Sequence, residues 1–305
     1  MYSAIIPTHN RPDVLGRAIR SVLAQSVSAG EVIVVDDAST PPADIREFAE
    51  SAVPVVLIRC DQAGGAPRAR NLGLDRAQFE YAAFLDDDDE WLPQKMEKQI
   101  GYLQSRPELV AVSCGRLIAS GDQESVEICQ EAVSESYFWH DNLYGSFSFM
   151  AIKRNGRTQA VRTDPELKAG QDWDFWARLR ELGSVGVVEE PLCRMHSHTG
   201  ARISTNYLNR AVGWERFIEN HKARIPGGAR RWIQSRIHFY RSHLETSFFP
   251  RLKHVVSAIA LGLSSDYPLK GRIIHTTRHV IEVFLKHERT EALRIAFRRR
   301  FPKGW

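Results

Sequence analysis

Four consecutive aspartates, Asp86 to Asp89, are the densest concentration of chemistry in the sequence, and they follow directly on an apolar run at residues 81–85. Carboxylates packed so closely repel one another, so a cation is their natural partner. A hard divalent ion suits them: Mg²⁺ and Mn²⁺ prefer oxygen, take one or two protein carboxylates and complete the octahedron with phosphate oxygens and water. The bland alternative is a solvated acidic turn. A second pair, Asp36-Asp37, closes another apolar run, where an aspartate either hydrogen-bonds a base or ribose or forms a cap or turn. Gly64-Gly65-Ala66-Pro67-Arg68-Ala69-Arg70-Asn71 is a glycine-rich loop entering a helix with two guanidinium groups, suited to anionic or planar polar ligands. Neither GxxxxGK[ST] nor GxGxxG occurs, which disfavours a P-loop NTPase and a dinucleotide dehydrogenase.

The elements that must position these groups alternate in type. Apolar, β-branched runs at 2–6, 31–35, 53–59 and 81–85 predict strands, and 12–25, 44–51 and 69–78 predict helices. Strand and helix in alternation imply a parallel sheet with crossovers, whose ligands sit beyond the carboxyl ends of the strands. Pro7 to Arg11, Asp36 to Ser39 and Asp86 to Asp89 all fall on that edge. Residues 110–118 and 146–153 predict further strands, and 171–182, opening on Asp172 and Asp174, predicts an amphipathic helix. From about residue 206 the chain turns to helices rich in Arg, His and aromatics, so the expected division is 1–205 and 206–305.

With 305 residues, 43% of them hydrophobic and 26% charged, the chain can bury a core without staples and is neither disordered nor repetitive. Its four cysteines show no CxxC pairing, which predicts reduced thiols and a cytoplasmic protein. The first residues lack the features of an export signal, and the apolar stretch 255–263 is about half the length of a membrane span. The net charge of +4 conceals a division: residues 1–205 carry 21 Lys and Arg against 30 Asp and Glu, and residues 206–305 carry 20 against 7. The basic part is either a solvated helical face or a contact with an anionic surface, such as a membrane. Nucleic acid is disfavoured by the absence of a recognised motif and by the acidic remainder.

Taken together, Ser3 to Arg11, Val34 to Ser39, Ala69 to Gly73, Phe84 to Pro93 and Gln171 to Trp176 stand in the order and spacing of the family 2 inverting glycosyltransferases, which the chain resembles over roughly residues 2–205. The resemblance implies an α/β protein with a GT-A fold, a Rossmann-like mixed sheet followed here by a helical C-terminal region. It also implies a nucleotide-sugar donor, with a UDP-sugar favoured, a saccharide or lipid-linked acceptor, and Mn²⁺ or Mg²⁺ as cofactor.

Residue by residue, the resemblance implies that Pro7, Thr8, Asn10, Arg11, Asp37, Arg68 and Asn71 surround the nucleotide, with Asp36 beside them. Asp86 and Asp87 would lie against the ribose and Asp88 would ligate the metal, although four aspartates in a row permit a shift of register by one. Asp172 would be the base that deprotonates the acceptor hydroxyl. Relatives commonly carry Glu-Asp here; Gln171 removes the neighbouring charge, which predicts a less basic Asp172 and leaves Asp174 as the other register. His196 would complete the metal shell, Arg194 or Arg202 would neutralise the diphosphate, and Trp139, Tyr144 and Trp173 would meet the acceptor or the diphosphate. A nucleotidyltransferase of similar fold and a non-catalytic carbohydrate-binding module are the competing readings.

Overall fold

The structure, a computed structural model, describes residues 1–120, 123–129, 135–196, 206–268 and 271–273. The chain divides into two compact units. The first is Met1–Ala132, Asn142–Leu167 and Gln171–Gly200; the second is Val133–Asp141, Lys168–Gly170 and Ala201–Trp305.

Among the described residues, the first unit is built on a nine-stranded mixed sheet. Its parallel part is β1 (Tyr2–Thr8), β2 (Glu31–Asp36), β3 (Val55–Arg59) and β4 (Tyr81–Phe84), in the spatial order β3-β2-β1-β4. Every residue of β1, β2 and β4 is buried, as expected of parallel strands covered on both faces. The helix α1 (Pro12–Leu23) buries Leu15, Ala18, Ile19 and Val22, a stripe at helical spacing. The helix α2 (Ala66–Arg76) packs against β1 at Gly73, where an added Cβ would meet the Ile5 side chain at 2.4 Å. Asp44 to Ser51, predicted as a helix, makes only one 3₁₀ turn at Arg46–Phe48.

The sheet continues through β5 (Asp89–Trp91), β6 (Leu109–Ser120), β7 (Gln123–Glu127), β8 (Ala151–Lys153) and β9 (Ser184–His196), with α3 (Lys95–Gln104) packed against β6. β8 runs antiparallel to β4 and β6, β5 antiparallel to β9, and β6 parallel to β9. The 13-residue β9 and the three-residue β5 have no counterpart in the periodicity reading, because their residues mix charged and apolar types without alternation. The predicted strand 146–153 is a 3₁₀ turn at Phe147–Phe149 followed by β8. The helix α5 (Gln171–Arg180) opens on Asp172 and Asp174, where carboxylates favour the helix dipole.

The second unit is helical: α4 (Glu135–Phe138), α6 (Tyr207–Asn220), α7 (Gly227–Leu244) and α8 (Phe248–Ser264). Asn206 caps α6 by accepting from the Asn209 amide at 3.0 Å. Trp139, Phe217 and Trp232 are buried in its core, with the Trp139 ring centroid 6.0 Å from that of Phe217. The four cysteines are all free thiols, and among the described residues no helix is long and apolar enough to cross a membrane.

Candidate active site

The carboxyl ends of β1, β2 and β4 lie side by side, since Thr8 is in register with Asp36 and Ile5 with Phe84. The acidic run therefore leaves the sheet next to the Thr8 and Asp36 tips. Its four carboxylates do not share one environment. The Asp87 side chain is 7% exposed, whereas those of Asp86 and Asp88 are 30% and 22% exposed. Asp87 accepts from the Thr8 hydroxyl at 2.7 Å and from Arg11 Nη1 at 3.0 Å. Asp89, also buried, accepts from the Ser148 hydroxyl at 2.6 Å. Burial raises the pKa of Asp87 to about 6, with Asp88 and Asp86 adding to the rise and Thr8 and Arg11 opposing it. Burial, then Asp86, raises that of Asp89 well above the carboxylate range. Alternate members thus turn inward and are held neutral or paired, which leaves Asp86 and Asp88 as the outward carboxylates. Asp87, expected against a ribose, is instead engaged by Thr8 and Arg11.

Each outward carboxylate has a guanidinium partner. Arg11 Nη1 donates to Asp88 Oδ2 at 2.7 Å, and Arg70 Nη2 donates to Asp86 Oδ1 at 2.6 Å. Arg70, one of the two guanidinium groups of the glycine-rich segment, has no site role in the sequence reading. It is 5% exposed, lies 4.0 Å from the centroid of the Phe147 ring and reaches Gln171 Oε1 at 3.2 Å. It joins the acidic run to the start of α5. The signal was present in the sequence: Arg70 stands on the same helical stripe as Pro67, Gly73 and Leu74, and a charge on a buried stripe demands a partner. Ser148 was missed as well; besides serving Asp89 it accepts from the Asp86 amide at 3.1 Å, and its carbonyl accepts from Trp91 Nε1 at 2.9 Å.

Asp172 is at the first turn of α5, half-buried, and accepts from the Trp173 amide at 2.9 Å. Burial raises its pKa to about 6; the Trp173 amide and Arg70 pull it down, and Asp86 pushes it up. The basicity expected to be missing with Gln171 is supplied by burial and by Asp86. Asp174 is fully buried and accepts from Arg178 Nε at 2.6 Å, whereas Asp172 interacts electrostatically with Arg70 and Asp86.

The β2 tip is organised differently from expectation. Asp36 is fully buried and accepts from the Ser39 amide at 2.8 Å, the Ala43 amide at 3.0 Å and Arg59 Nη1 at 2.6 Å. Burial pushes its pKa up, but the hydrogen bonds of Ser39 and Ala43, with Arg59, outweigh burial and the pKa is lowered. It shapes the 36–43 turn and has no face toward a nucleotide. Asp36→Asn is expected to cost about 2 to 4 kcal/mol, since it strips the charge partner of Arg59 and weakens two amide bonds; thermal unfolding measures this, and an unchanged Tm would contradict the assignment. Asp37 accepts from the Gly64 and Gly65 amides at 2.8 and 2.7 Å, so its carboxylate holds the glycine-rich loop. Arg68 is exposed with its side chain over Gly64. Pro7 is buried in β1, and Asn10, at φ 53°, ties the two tips together through Ser39 Oγ at 2.9 Å and the Thr40 amide at 2.7 Å. Asp37 itself donates its amide to the Thr8 carbonyl at 2.9 Å. A continuous polar chain therefore runs from Asp37 through Thr8, Asp87 and Arg11 to Asp88.

Other expected contacts are placed elsewhere. Asn71 is engaged with Thr163, donating to its carbonyl at 2.9 Å and accepting from its amide at 2.8 Å. Trp173 is a core residue, fully buried. Trp139 is also fully buried, in the second unit. Tyr144 is buried against Trp176, its hydroxyl 2.9 Å from Arg180 Nη1. None of these three rings has a face open to a sugar. Arg194 pairs with Glu124 at 3.1 Å on the outer strands rather than with the acidic run. Arg202 lies outside the described residues. His196 lies at the Asp88 end of the ladder, since β5 and β9 pair with Asp89 opposite Met195, and its Nε2 meets Glu90 Oε1.

Among the described residues no three His, Cys, Asp or Glu side chains converge into a metal cage. The donor set nevertheless fits a hard divalent ion shared with a ligand, because outward carboxylate oxygens at Asp86 and Asp88 match the one or two protein ligands that Mg²⁺ or Mn²⁺ takes beside phosphate.

The mixed sheet, with acidic segments following β2 and β4 at one edge, has the GT-A fold, which solved structures share. The residue 1–349 portion of TarS from S. aureus, in complex with UDP-GlcNAc, superposes with a TM-score of 0.59 at 15% identity, covering 96% of this chain and 83% of that one. The mannosyltransferase PcManGT from Pyrobaculum calidifontis, in complex with GDP-Man and Mn²⁺, superposes with a TM-score of 0.57 at 18% identity, covering 93% and 86%. Residues 3–155 match the sequence profile of the family described as Glycosyl transferase family 2. The chain belongs to that family and is a glycosyltransferase. Among its curated relatives, the putative colanic acid biosynthesis glycosyl transferase WcaA of Escherichia coli (strain K12) is 28% identical over 240 residues, 76% of this chain and 85% of the relative.

Proposed function

We propose that the protein transfers a sugar, with inversion, from a nucleotide-diphosphate sugar to a hydroxyl of a saccharide or lipid-linked acceptor, in polysaccharide or cell-surface glycan synthesis. A UDP-sugar is the favoured donor, in keeping with the UDP-GlcNAc held by TarS, and the polysaccharide setting accords with the name of WcaA. The observation that carries the reading is Asp172, a carboxylate of raised basicity at a helix start, electrostatically linked to the outward Asp86 through Arg70.

Inversion by direct displacement needs no covalent intermediate, only a base for the acceptor proton and stabilisation of the leaving diphosphate. Asp172 Oδ takes the proton as the hydroxyl attacks the anomeric carbon; its pKa of about 6 keeps it ionised at neutral pH yet basic enough to accept. Thr8 and the Asp37-anchored Gly64-Gly65 loop bound the base end of the donor, and Asp86 and Asp88 face its ribose and diphosphate. Asp88, with His196 adjacent, would hold Mn²⁺ or Mg²⁺, which when bound would supply Lewis-acid stabilisation of the charge on the departing phosphate. Arg11, paired with Asp88 in the structure, would have to give up that partner if the carboxylate held the ion.

The test is a panel of nucleotide-sugars for transfer or hydrolysis, with nucleotide binding followed by thermal shift. UDP, GDP or CDP with Mn²⁺ is expected to raise the Tm, chelator to abolish the rise, and Asp88→Ala to lose it. Binding indifferent to both chelator and that substitution would remove the metal from the mechanism. The basic excess of residues 206–305 supports a peripheral contact at the inner face of the membrane, on the cytoplasmic side, where a lipid-linked acceptor is presented.

A further inference from the structure

α8 carries an apolar surface on the side where a soluble helix ordinarily places charge. Its inward face is Val255, Ala258 and Gly262. The opposite face, at the helical spacing of three and four, is Phe249, Lys253, Val256, Ala260 and Leu263, all exposed, with Phe248 beside it at the start of the helix. Phe248 and Phe249 are 61% and 79% exposed, and Val256 and Leu263 56% and 47%. Isolated apolar residues on a surface are ordinary; two adjacent phenylalanines followed on the same face, beyond Lys253, by Val256, Ala260 and Leu263 make an apolar stripe of the kind that marks a binding face.

The charges around the patch indicate what covers it. Phe248–Ser264 contains no Asp or Glu, and its formal charges are Arg251 and Lys253. At the C-terminal end of the helix Arg231 Nε donates to the Ser264 carbonyl at 2.8 Å and Arg272 Nη1 to the Leu263 carbonyl at 2.7 Å. Residues 206–305 as a whole carry 20 Lys and Arg against 7 Asp and Glu. A second copy meeting this face would bring cation against cation, which opposes self-association. An anionic bilayer supplies the complement: headgroups for the guanidinium and ammonium groups and an acyl boundary for the phenylalanines.

We propose that α8 is the membrane-docking element of the protein, inserting Phe248, Phe249, Val256 and Leu263 at the surface of an anionic bilayer while the flanking cations pair with lipid phosphates. The inference deepens the reading of residues 206–305 as a peripheral contact and rests on it. The experiment is co-sedimentation of the full chain with phosphatidylglycerol–phosphatidylcholine vesicles and with phosphatidylcholine alone, at low and high salt, for the wild type, the doubly substituted Phe248→Ser/Phe249→Ser protein, and Lys253→Glu. The wild type is expected to bind the anionic vesicles, bind phosphatidylcholine far less, and release as salt shortens the screening length toward about 3 Å. The double serine variant is expected to partition at least about tenfold more weakly, from the loss of two buried rings, while its Tm and nucleotide binding stay at wild-type values. Lys253→Glu is expected to weaken binding and flatten its salt dependence.

Failure of the wild type to bind would overturn the peripheral reading itself. Wild-type binding that both variants keep would overturn only the assignment to α8 and place the contact elsewhere in the basic region. Phenylalanine-dependent dimerisation in sedimentation velocity, without vesicle binding, would make this face a self-interface instead. Retained nucleotide binding in the variants keeps all these outcomes separate from the transferase reading.

Discussion

Asp172→Asn is expected to lower kcat by about 10² to 10⁴-fold, the range attributable to one general base, while leaving the Kd for donor nucleotide within about twofold of wild type. The substitution keeps size and shape, and Asn Oδ1 still accepts from the Trp173 amide, so the start of α5 is preserved. What it removes is the ability to receive a proton. The nucleotide contacts proposed above lie on the Thr8, Asp37 and Asp88 side of the site, so donor binding is expected to be unaffected. The pH profile provides a second readout on the wild type. A base that works ionised and has a pKa of about 6 gives kcat/KM that climbs with pH through about 6 and levels above it. Below that value activity falls about tenfold per pH unit. Full transfer by the asparagine variant would exclude Asp172 as base, and a profile flat from pH 5 to 8 would deny it the raised pKa.

Arg70→Met is expected to destabilise the protein by about 2 to 3 kcal/mol, below the 3 to 5 kcal/mol range for a wholly buried pair because the Asp86 carboxylate is partly exposed. Methionine keeps the aliphatic stem, so the loss is the charge, its stacking on Phe147 and its hydrogen bonds to Asp86 and Gln171. Since Arg70 pulls the pKa of Asp172 down, its removal is also expected to move the acid limb of kcat/KM to higher pH. Arg70→Lys restores a charge without the fork that spans Asp86 and Gln171, so it should recover part of the limb but little of the stability. A purely structural arginine would change the Tm and leave the limb where it was.

Most of the parallel half of the sheet is legible in the sequence because fully buried strands read as uninterrupted apolar runs, as at Tyr2 to Ile6 and Glu31 to Val35. β9 escapes because its 13 residues include Glu189, Glu190 and Arg194 at exposed or half-exposed positions and follow no single period. The 44–51 segment has helical composition yet makes one 3₁₀ turn, as the chain is directed by the Asp36 carboxylate that accepts from the Ala43 amide just before it.

The sequence by itself determined that acidic and glycine-rich segments stand at the ends of apolar strands, in an order shared with one enzyme family, and that the charge is divided between the two parts of the chain. Only the tertiary structure decided which members of those segments face outward. Four adjacent aspartates are equivalent in a string of letters; they become distinct when Thr8 and Ser148, 79 and 59 residues away in the chain, draw Asp87 and Asp89 inside. Likewise Asp36 is committed to its turn by Arg59 on the neighbouring strand, and Arg70 meets Gln171 across 101 residues. Burial, which raises the pKa values of Asp87, Asp89 and Asp172, comes from everything packed around a residue, and sequence neighbours are a small part of that.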